Sequence, residues 1–191
     1  VSDFSKIGPW YYETIDRKYP LFKYSELCFL KAIAIQLGLT SGDAKTEYEA
    51  GVRSSMTELG VPESKIENYL ASTSPNYYGT TAKYDDVTGT NNTPMDKILT
   101  QKYIAQFQEC SFETWADHRQ FHKPTLMPFA SVSSSVFTMN PADQANNTPN
   151  AYVKRIYYPS SEYTVNAANV KEAESRMGGT NSIQNNVWWD V

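Results

Sequence analysis

The stretch 26-ELCFLKAIAIQLG-38 and the stretch 48-YEAGVRSSMTELGV-61 decide the fold. Apolar residues recur at helical spacing along the first of them: Leu27, Leu30, Ala34 and Leu37. This spacing predicts a helix over 24–37. Gly38 is expected to end it, because glycine readily adopts the left-handed conformation that closes many helices.

The second stretch lies within the clearest helical pattern of the chain. Its apolar and small residues mark one helical face: Ala44, Tyr48, Gly51, Val52, Ser55, Met56 and Leu59. Ser41 or Asp43 can cap this helix, and Gly60 ends it. The pattern predicts a helix over 44–59.

A short loop joins these two helices, so we expect them to form a hairpin of the tetratricopeptide type. Ala44 and Gly51 are small and flank Tyr48, which allows the neighbouring helix to approach closely. One such hairpin cannot bury its own apolar faces, so further helices must cover it. The chain is therefore predicted to be mainly α-helical with long irregular loops.

A short helix and a long loop are predicted after the hairpin. The helix follows Pro62, and its inward residues are expected to be Ile66, Tyr69 and Leu70. The segment 73–93 is rich in Thr, Asn, Gly and Tyr. It is long for a loop inside a compact domain, and loops of this kind are often functional.

Helices are predicted again over 94–121, with a break at 109–111. Thr93, Pro94 and Asp96 provide a cap, a proline in the first turn and a first-turn carboxylate, which together indicate a helix start. The inward face of the first of these helices is expected to carry Leu99, Tyr103 and Phe107.

Residues 123–191 are predicted to be rich in loops, since prolines recur along them. Residues 151–159 are expected to be extended. Asn166 is expected to cap one helix, whose inward residues are Val170, Ala173 and Met177.

The chain closes on two adjacent tryptophans, Trp188 and Trp189. Adjacent side chains of an extended segment point in opposite directions, so one ring can fill the core while the other lies at the surface. We favour a structural role for the pair, in which the tail seals an apolar groove, over a stacking platform for a ligand.

The composition excludes several classes of protein. The net charge is −4 and no basic cluster is present, which argues against a nucleic-acid partner. No stretch approaches the ~18 apolar residues that cross a bilayer. The chain has 14 tyrosines and 4 tryptophans beside 8 phenylalanines, a mixture that suits surfaces meeting polar ligands such as sugars.

Two further features concern the compartment of the protein. Cys28 and Cys110 do not make a disulfide framework, and Cys28 is expected to be a small buried hydrophobe. The N-terminal residues show no signal-peptide pattern. The protein is therefore expected to be either intracellular or a mature or truncated piece of a longer one.

Catalysis has little support in the sequence. His118 and His122 have the spacing of a two-histidine metal pair, but no glutamate follows the first histidine. Glu113 and Asp117 could form a carboxylate pair for glycoside hydrolysis, although solvated helix carboxylates are far commoner. We predict no catalytic residue, no metal site and no cofactor, and we favour binding as the function.

Four segments, in order, resemble the SusD/RagB family of nutrient-binding outer-membrane lipoproteins. They are the opening helix pair, the segment ILTQKYIAQF with FETWADHRQFHKPTL, the segment YVKRIYYPSSEYTVNAANVKEA, and the tail GGTNSIQNNVWWDV. Members of the family are several hundred residues long and begin with a signal peptide and a lipidated cysteine. The resemblance therefore implies that 1–191 is the C-terminal portion of a single SusD-like domain, comprising the helix pair 24–59, the loop 73–93, the helices 94–121 and the loop-rich segment 123–191.

The resemblance also implies a function. Such a protein is anchored through an N-terminal lipid on the cell-surface face of the outer membrane, by a part absent from this chain. It captures an oligosaccharide or a peptide, and it delivers that nutrient to a SusC-like TonB-dependent transporter. The alternatives are a tetratricopeptide-type adaptor for proteins and, with less support, a glycosidase.

Loop aromatics are the predicted ligand contacts, because they lie outside the periodic apolar stripes. The first candidate cluster is Tyr77, Tyr78 and Tyr84, with Asn76, Asn91 and Asn92 available to hydrogen-bond hydroxyl groups. The second cluster is Trp10, Tyr11 and Tyr12. The competing interpretation is that these rings hold the loops on the scaffold or meet the transporter.

Overall fold

The computed structural model describes residues 19–126, 153–179, 181–183 and 185–189, together with residues 8, 13, 15 and 16. These ranges contain seven α-helices and no β-strand, which confirms the mainly α class. The helices are α1 (Tyr24–Gln36), α2 (Ala44–Glu58), α3 (Glu63–Leu70), α4 (Pro94–Ala105), α5 (Ser111–Phe121), α6 (Ser160–Val165) and α7 (Ala167–Arg176). Among them, none is long and apolar enough to cross a membrane.

The ends of α1 and α2 follow the predicted chemistry. The Asp43 carboxylate accepts the Lys45 backbone N–H at 3.1 Å and caps α2. Gly38 has φ +71°, and Gly60 has φ +74°. Each glycine and its following residue donate backbone N–H groups to the last turn of the helix, the arrangement in which a left-handed glycine satisfies the terminal carbonyls.

The predicted hairpin is present, and α1 packs on α2 at a close approach. A Cβ atom added at Gly51 would lie 2.7 Å from Cε1 of Phe29, which is nearer than real carbon atoms approach. Glycine is therefore required where the two helices cross. The predicted inward face of α2 is confirmed at Ala44, Tyr48, Gly51 and Val52, which are buried, whereas Leu59 at its C-terminal end is exposed.

The apolar residues whose spacing predicted α1 do not form its buried face. Leu27 and Leu30 are 41% and 40% exposed, and Leu37 is also exposed. The buried residues of α1 are Ser25, Cys28, Phe29, Ala32 and Ile33. Because α1 is apolar all round, two faces fit helical spacing, and the spacing alone does not identify the one that meets α2 and α4.

The remaining core forms where α3 and α4 meet the hairpin. Ile66 and Leu70 of α3 are buried, and Tyr69 is half-buried. In α4, Ile98 and Leu99 are buried in the same cluster. The predicted α4 face was only partly right, because Tyr103 is half-buried and Phe107 lies beyond the helix end and is exposed.

The start of α4 is a capping box. Asp96 N–H donates to Thr93 Oγ1 at 3.2 Å, and Thr93 N–H donates to the Asp96 carboxylate at 2.9 Å, with Pro94 in the first turn. The same carboxylate forms an ion pair with Lys123. Burial alone would raise the pKa of Asp96, but hydrogen bonds from Lys123 and Thr93 prevail and hold it below its ordinary value.

The segment 153–159 contacts α5, and the described residues that follow it include one helix that was not predicted. The backbone N–H groups of Lys154 and Arg155 both donate to the Ile183 carbonyl, at 2.8 and 3.3 Å. Residues 153–159 form neither helix nor strand, and α6 follows them where no helix was predicted. In α7, Val170 is buried as expected, while Asn166 makes no side-chain cap.

Candidate functional site

The loop 73–93 is an ordered structure built by its own side chains. Asn76 Oδ1 accepts the backbone N–H groups of Tyr78 at 2.9 Å and Thr80 at 3.0 Å. Gly79 has φ +99°, and a Cβ atom there would lie 2.6 Å from the Thr90 carbonyl oxygen. The tip of the loop is thus closed by a turn that only glycine fits.

A buried lysine holds the loop to α4. The Lys97 ammonium donates to the Thr81 carbonyl at 3.0 Å, to Thr81 Oγ1 at 2.6 Å and to Asn92 Oδ1 at 2.5 Å. Asn92 in turn donates to the carbonyls of Asp86 and Thr88. Burial lowers the pKa of Lys97, although the carboxylates of Asp86 and Asp96 act in the opposite direction.

Two of the predicted ligand residues lie together on this loop. The ring centroids of Tyr77 and Tyr78 are 5.1 Å apart, with the rings edge to face. Tyr77 is 90% exposed and Tyr78 is half-buried. Asn91, which has φ +53°, donates its side-chain amide to the Tyr78 carbonyl at 2.9 Å. The three amides that were expected to meet a ligand are therefore engaged in fixing the loop backbone.

Tyr84 is separated from that pair and packs on the scaffold. Its ring centroid lies 5.2 Å from that of Tyr48, and its hydroxyl accepts a hydrogen bond from Gln36 Nε2 at 2.8 Å. Burial raises the pKa of Tyr84 and also that of Tyr48. These contacts favour a structural role for Tyr84. The other predicted cluster, Trp10, Tyr11 and Tyr12, lies outside the described residues.

A groove of about 360 Å³ lies where α4 passes into α5. We name it the Trp115 groove. Its lining combines aromatic, aliphatic and polar side chains: Tyr103, Gln106, Phe107, Gln108, Ser111, Thr114, Trp115, His118, Leu126 and Val153. Gln108 adopts φ +65° at the break between the helices, which turns the chain so that Phe107 and Ser111 border the same space.

The sequence interpretation missed this groove. Tyr103 and Phe107 were assigned to the core stripe of α4, and Trp115 was given no role. The sequence does contain a signal for the groove, namely the several aromatic residues between Tyr103 and Trp115. Because α4 ends at Ala105, Phe107 lies beyond the helix and does not extend its buried face.

Beside the groove, one arginine lies between two indole rings. The Arg119 guanidinium carbon is 3.8 Å from the ring centroid of Trp115 and 4.3 Å from that of Trp189. Trp115 Nε1 donates to the Val153 carbonyl at 2.7 Å. Trp189 is half-buried, whereas Trp188 is 92% exposed. Of the two described tryptophan rings of the tail, that of Trp189 contacts Arg119 of α5, and that of Trp188 lies in solvent.

The structure also describes the residues that could have formed a catalytic carboxylate pair or a two-histidine metal pair. Asp117 forms an ion pair with Lys102, whose side chain is almost fully buried, so this carboxylate balances a buried charge. Glu113 is exposed. His118 lines the Trp115 groove, and His122 ends α5 with φ +51°. The described residues hold no group of three or more potential metal ligands.

The described helices thus present aromatic rings at two places, on an ordered loop and along a groove. The sequence profile of the SusD-like family, described as Susd and RagB outer membrane lipoprotein, matches residues 4–190. The chain belongs to this family. No curated protein matches its sequence.

Solved structures agree with this assignment. The chain is similar to a SusD homologue from Parabacteroides distasonis, with 39% identity and a TM-score of 0.76, over 91% of this chain and 33% of that one. It is similar to a chitin-binding SusD homologue from Flavobacterium johnsoniae, with 28% identity and a TM-score of 0.68, over 87% and 36%. A SusD homologue from Bacteroides thetaiotaomicron shows 27% identity and a TM-score of 0.67, over 87% and 37%. The chain thus spans about a third of the length of these structures.

Proposed function

We propose that this protein binds an oligosaccharide without catalysis and delivers it to a SusC-like TonB-dependent transporter. The observation that carries the proposal is the exposed Tyr77 ring on a loop fixed by hydrogen bonds. The C–H faces of a sugar ring stack on such aromatic surfaces, and a loop backbone that is ordered before binding loses little entropy when the ligand arrives.

The family assignment supports the same proposal. Two solved structures similar to this chain carry chitin-binding in their descriptions, at 27% and 28% identity. Chitin is a chain of linked pyranose rings, so the chemistry of its recognition fits exposed tyrosines. A peptide nutrient is the alternative ligand, and it would also use aromatic contacts.

The description of the family supports a cellular setting for this protein. Members of the family are described as outer membrane lipoproteins. We propose that this chain lies at the cell-surface face of that membrane and that a lipid on an N-terminal part holds it there. The transporter would then receive the ligand directly from the bound complex.

We also propose that the chain is the C-terminal portion of one larger domain. The outer stripe of α1, which includes Leu27, Leu30 and Leu37, is exposed in the described structure. A helix that is apolar on both faces is normally buried on both. Earlier helices of the same scaffold would cover this stripe.

Titration calorimetry with soluble oligosaccharides tests the binding proposal. The Tyr77→Ala, Tyr78→Ala double variant should bind a cognate sugar roughly tenfold more weakly, because two stacking rings of ~0.5–1.5 kcal/mol each are lost. Tyr163→Ala is the matched control, since Tyr163 is an exposed tyrosine on α6, away from the loop. Parent-like affinity in the double variant, with the fold intact, removes the loop from the binding site.

A further inference from the structure

We propose that the Trp115 groove is a second sugar-binding site of this protein and that it takes a single pyranose ring of an oligosaccharide. The inference rests on the proposed function, because it assumes that the ligand is a glycan. It concerns a site that shares no residue with the loop 73–93, since no residue of that loop lines the groove.

The size and the walls of the groove suit this ligand. Its volume of about 360 Å³ lies at the lower end of the range of small-molecule sites, ~300–1,000 Å³. Three aromatic residues border it: Tyr103, Phe107 and Trp115. Sugar rings present flat C–H faces to such walls, and the contact removes apolar surface from water.

The polar part of the lining distinguishes a sugar from an apolar side chain of a partner protein. Gln108 and Ser111 line the groove and are exposed, so an amide and a hydroxyl stand beside the aromatic walls. A pyranose offers hydroxyl groups at its edge and C–H groups at its face, and it can use both kinds of lining at once. An aliphatic side chain would use the aromatic walls alone, whereas a sugar gains hydrogen bonds to the amide and the hydroxyl as well.

The main aromatic wall is fixed before any ligand binds. Trp115 donates its indole N–H to the Val153 carbonyl at 2.7 Å, and the Arg119 guanidinium covers part of the ring at 3.8 Å from its centroid. Arg119 does not line the groove, so the groove and the guanidinium meet different parts of the indole. A wall held in this way stabilises a bound ring with little loss of side-chain entropy.

Two phenylalanines provide a matched test. Phe107 is 51% exposed and lines the groove, whereas Phe22 is 58% exposed and does not line it. Neither is part of the buried core. Phe107→Ala, Phe107→Tyr and Phe22→Ala should therefore keep the parent fold, which circular dichroism and thermal melting verify.

The probes are the hexasaccharide of chitin and maltohexaose, titrated into the parent protein and each variant by calorimetry. With the sugar that the parent binds, Phe107→Ala should weaken binding roughly fivefold, as expected for the loss of one stacking ring. Phe107→Tyr should retain parent affinity, and Phe22→Ala should not differ from the parent.

The outcomes separate this inference from the proposed function. If the Tyr77→Ala, Tyr78→Ala variant loses affinity while Phe107→Ala binds as the parent does, the function stands and the second site is overturned. Equal losses in Phe107→Ala and Phe22→Ala also overturn it, because the effect is then not specific to the groove. A parent protein that binds neither sugar contradicts both the second site and glycan binding of this kind.

Discussion

The guanidinium carbon of Arg119 lies 4.3 Å from the ring centroid of Trp189, and this contact joins the chain terminus to α5. The same guanidinium stacks on Trp115 and donates to the Lys154 carbonyl at 2.6 Å. One side chain thereby connects a helix, the segment 153–159 and the tail. The contacts give the two adjacent tryptophans of the tail different energetic roles.

Trp189→Ala should destabilise the protein by about 1–3 kcal/mol, because it removes a cation–π contact and a half-buried ring. Trp188→Ala should change the free energy of unfolding by less than about 0.5 kcal/mol, since this ring is almost fully exposed. Urea unfolding of both variants measures the difference. Equal effects would contradict the distinct placement of the two rings.

Gly51→Leu should destabilise the hairpin by about 1–3 kcal/mol, because even a Cβ atom would overlap the Phe29 ring. The control is Thr57→Leu, which adds a leucine at an exposed position of the same helix. Thermal melting compares the two. If Gly51→Leu melts with the parent, the close approach of α1 and α2 is not as described.

Lys97→Met should loosen the loop 73–93, because the buried Thr81 carbonyl loses the ammonium donor of Lys97, and an unsatisfied buried group costs about 1–3 kcal/mol. Hydrogen exchange should show faster exchange of the Thr81 backbone N–H, which donates to Asn92 Oδ1 at 2.8 Å. Lys83→Met, at an exposed loop position, is the control. Unchanged exchange in Lys97→Met would mean that the lysine does not hold the loop.

Asp96→Asn should destabilise the protein by roughly 2 kcal/mol at neutral pH, since the capping box and the ion pair with Lys123 both weaken. The folded-state pKa of Asp96 is lowered from 3.8. Its contribution is therefore fully present above about pH 3.8 and is lost as the pH falls through the lower, folded-state value. Unfolding curves should show the parent and the variant converging in stability at acid pH. A gap that stays constant down to pH 2 would contradict the lowered pKa.

The parts of the fold that depend on local chemistry were predictable. Helix ends at Gly38 and Gly60 and the cap by Thr93 follow from backbone conformations and hydrogen bonds within a few residues. The inward face of α1 was not predictable, because Leu27 and Phe29 are both apolar and only the position of α2 and α4 selects between them. Propensity and spacing carry no information on that choice.

The candidate binding residues show the same difference between local features, which the sequence predicts, and contacts between distant residues, which it does not. Tyr77 was chosen as a candidate ligand contact because it lies outside every apolar stripe. It is exposed in the structure, and its contact with a ligand stays a prediction. Tyr84 has the same local signal, yet it packs on Tyr48 across a contact between residues far apart in the chain. The Trp115 groove was missed for a related reason, since its walls come from both sides of a helix break and Val153 reaches it from a distant segment.

The hydrogen bonds of Lys97 have a consequence for how binding preference can change. The residues that fix the loop, Lys97, Asn92 and Thr81, are buried, while Tyr77 contributes its ring to solvent and almost nothing to the core. Substitutions at Tyr77 should therefore have little effect on folding. On the ligand-binding role proposed for Tyr77, the side chain at this position can be exchanged independently of the frame that holds the loop, and engineered specificity should begin there.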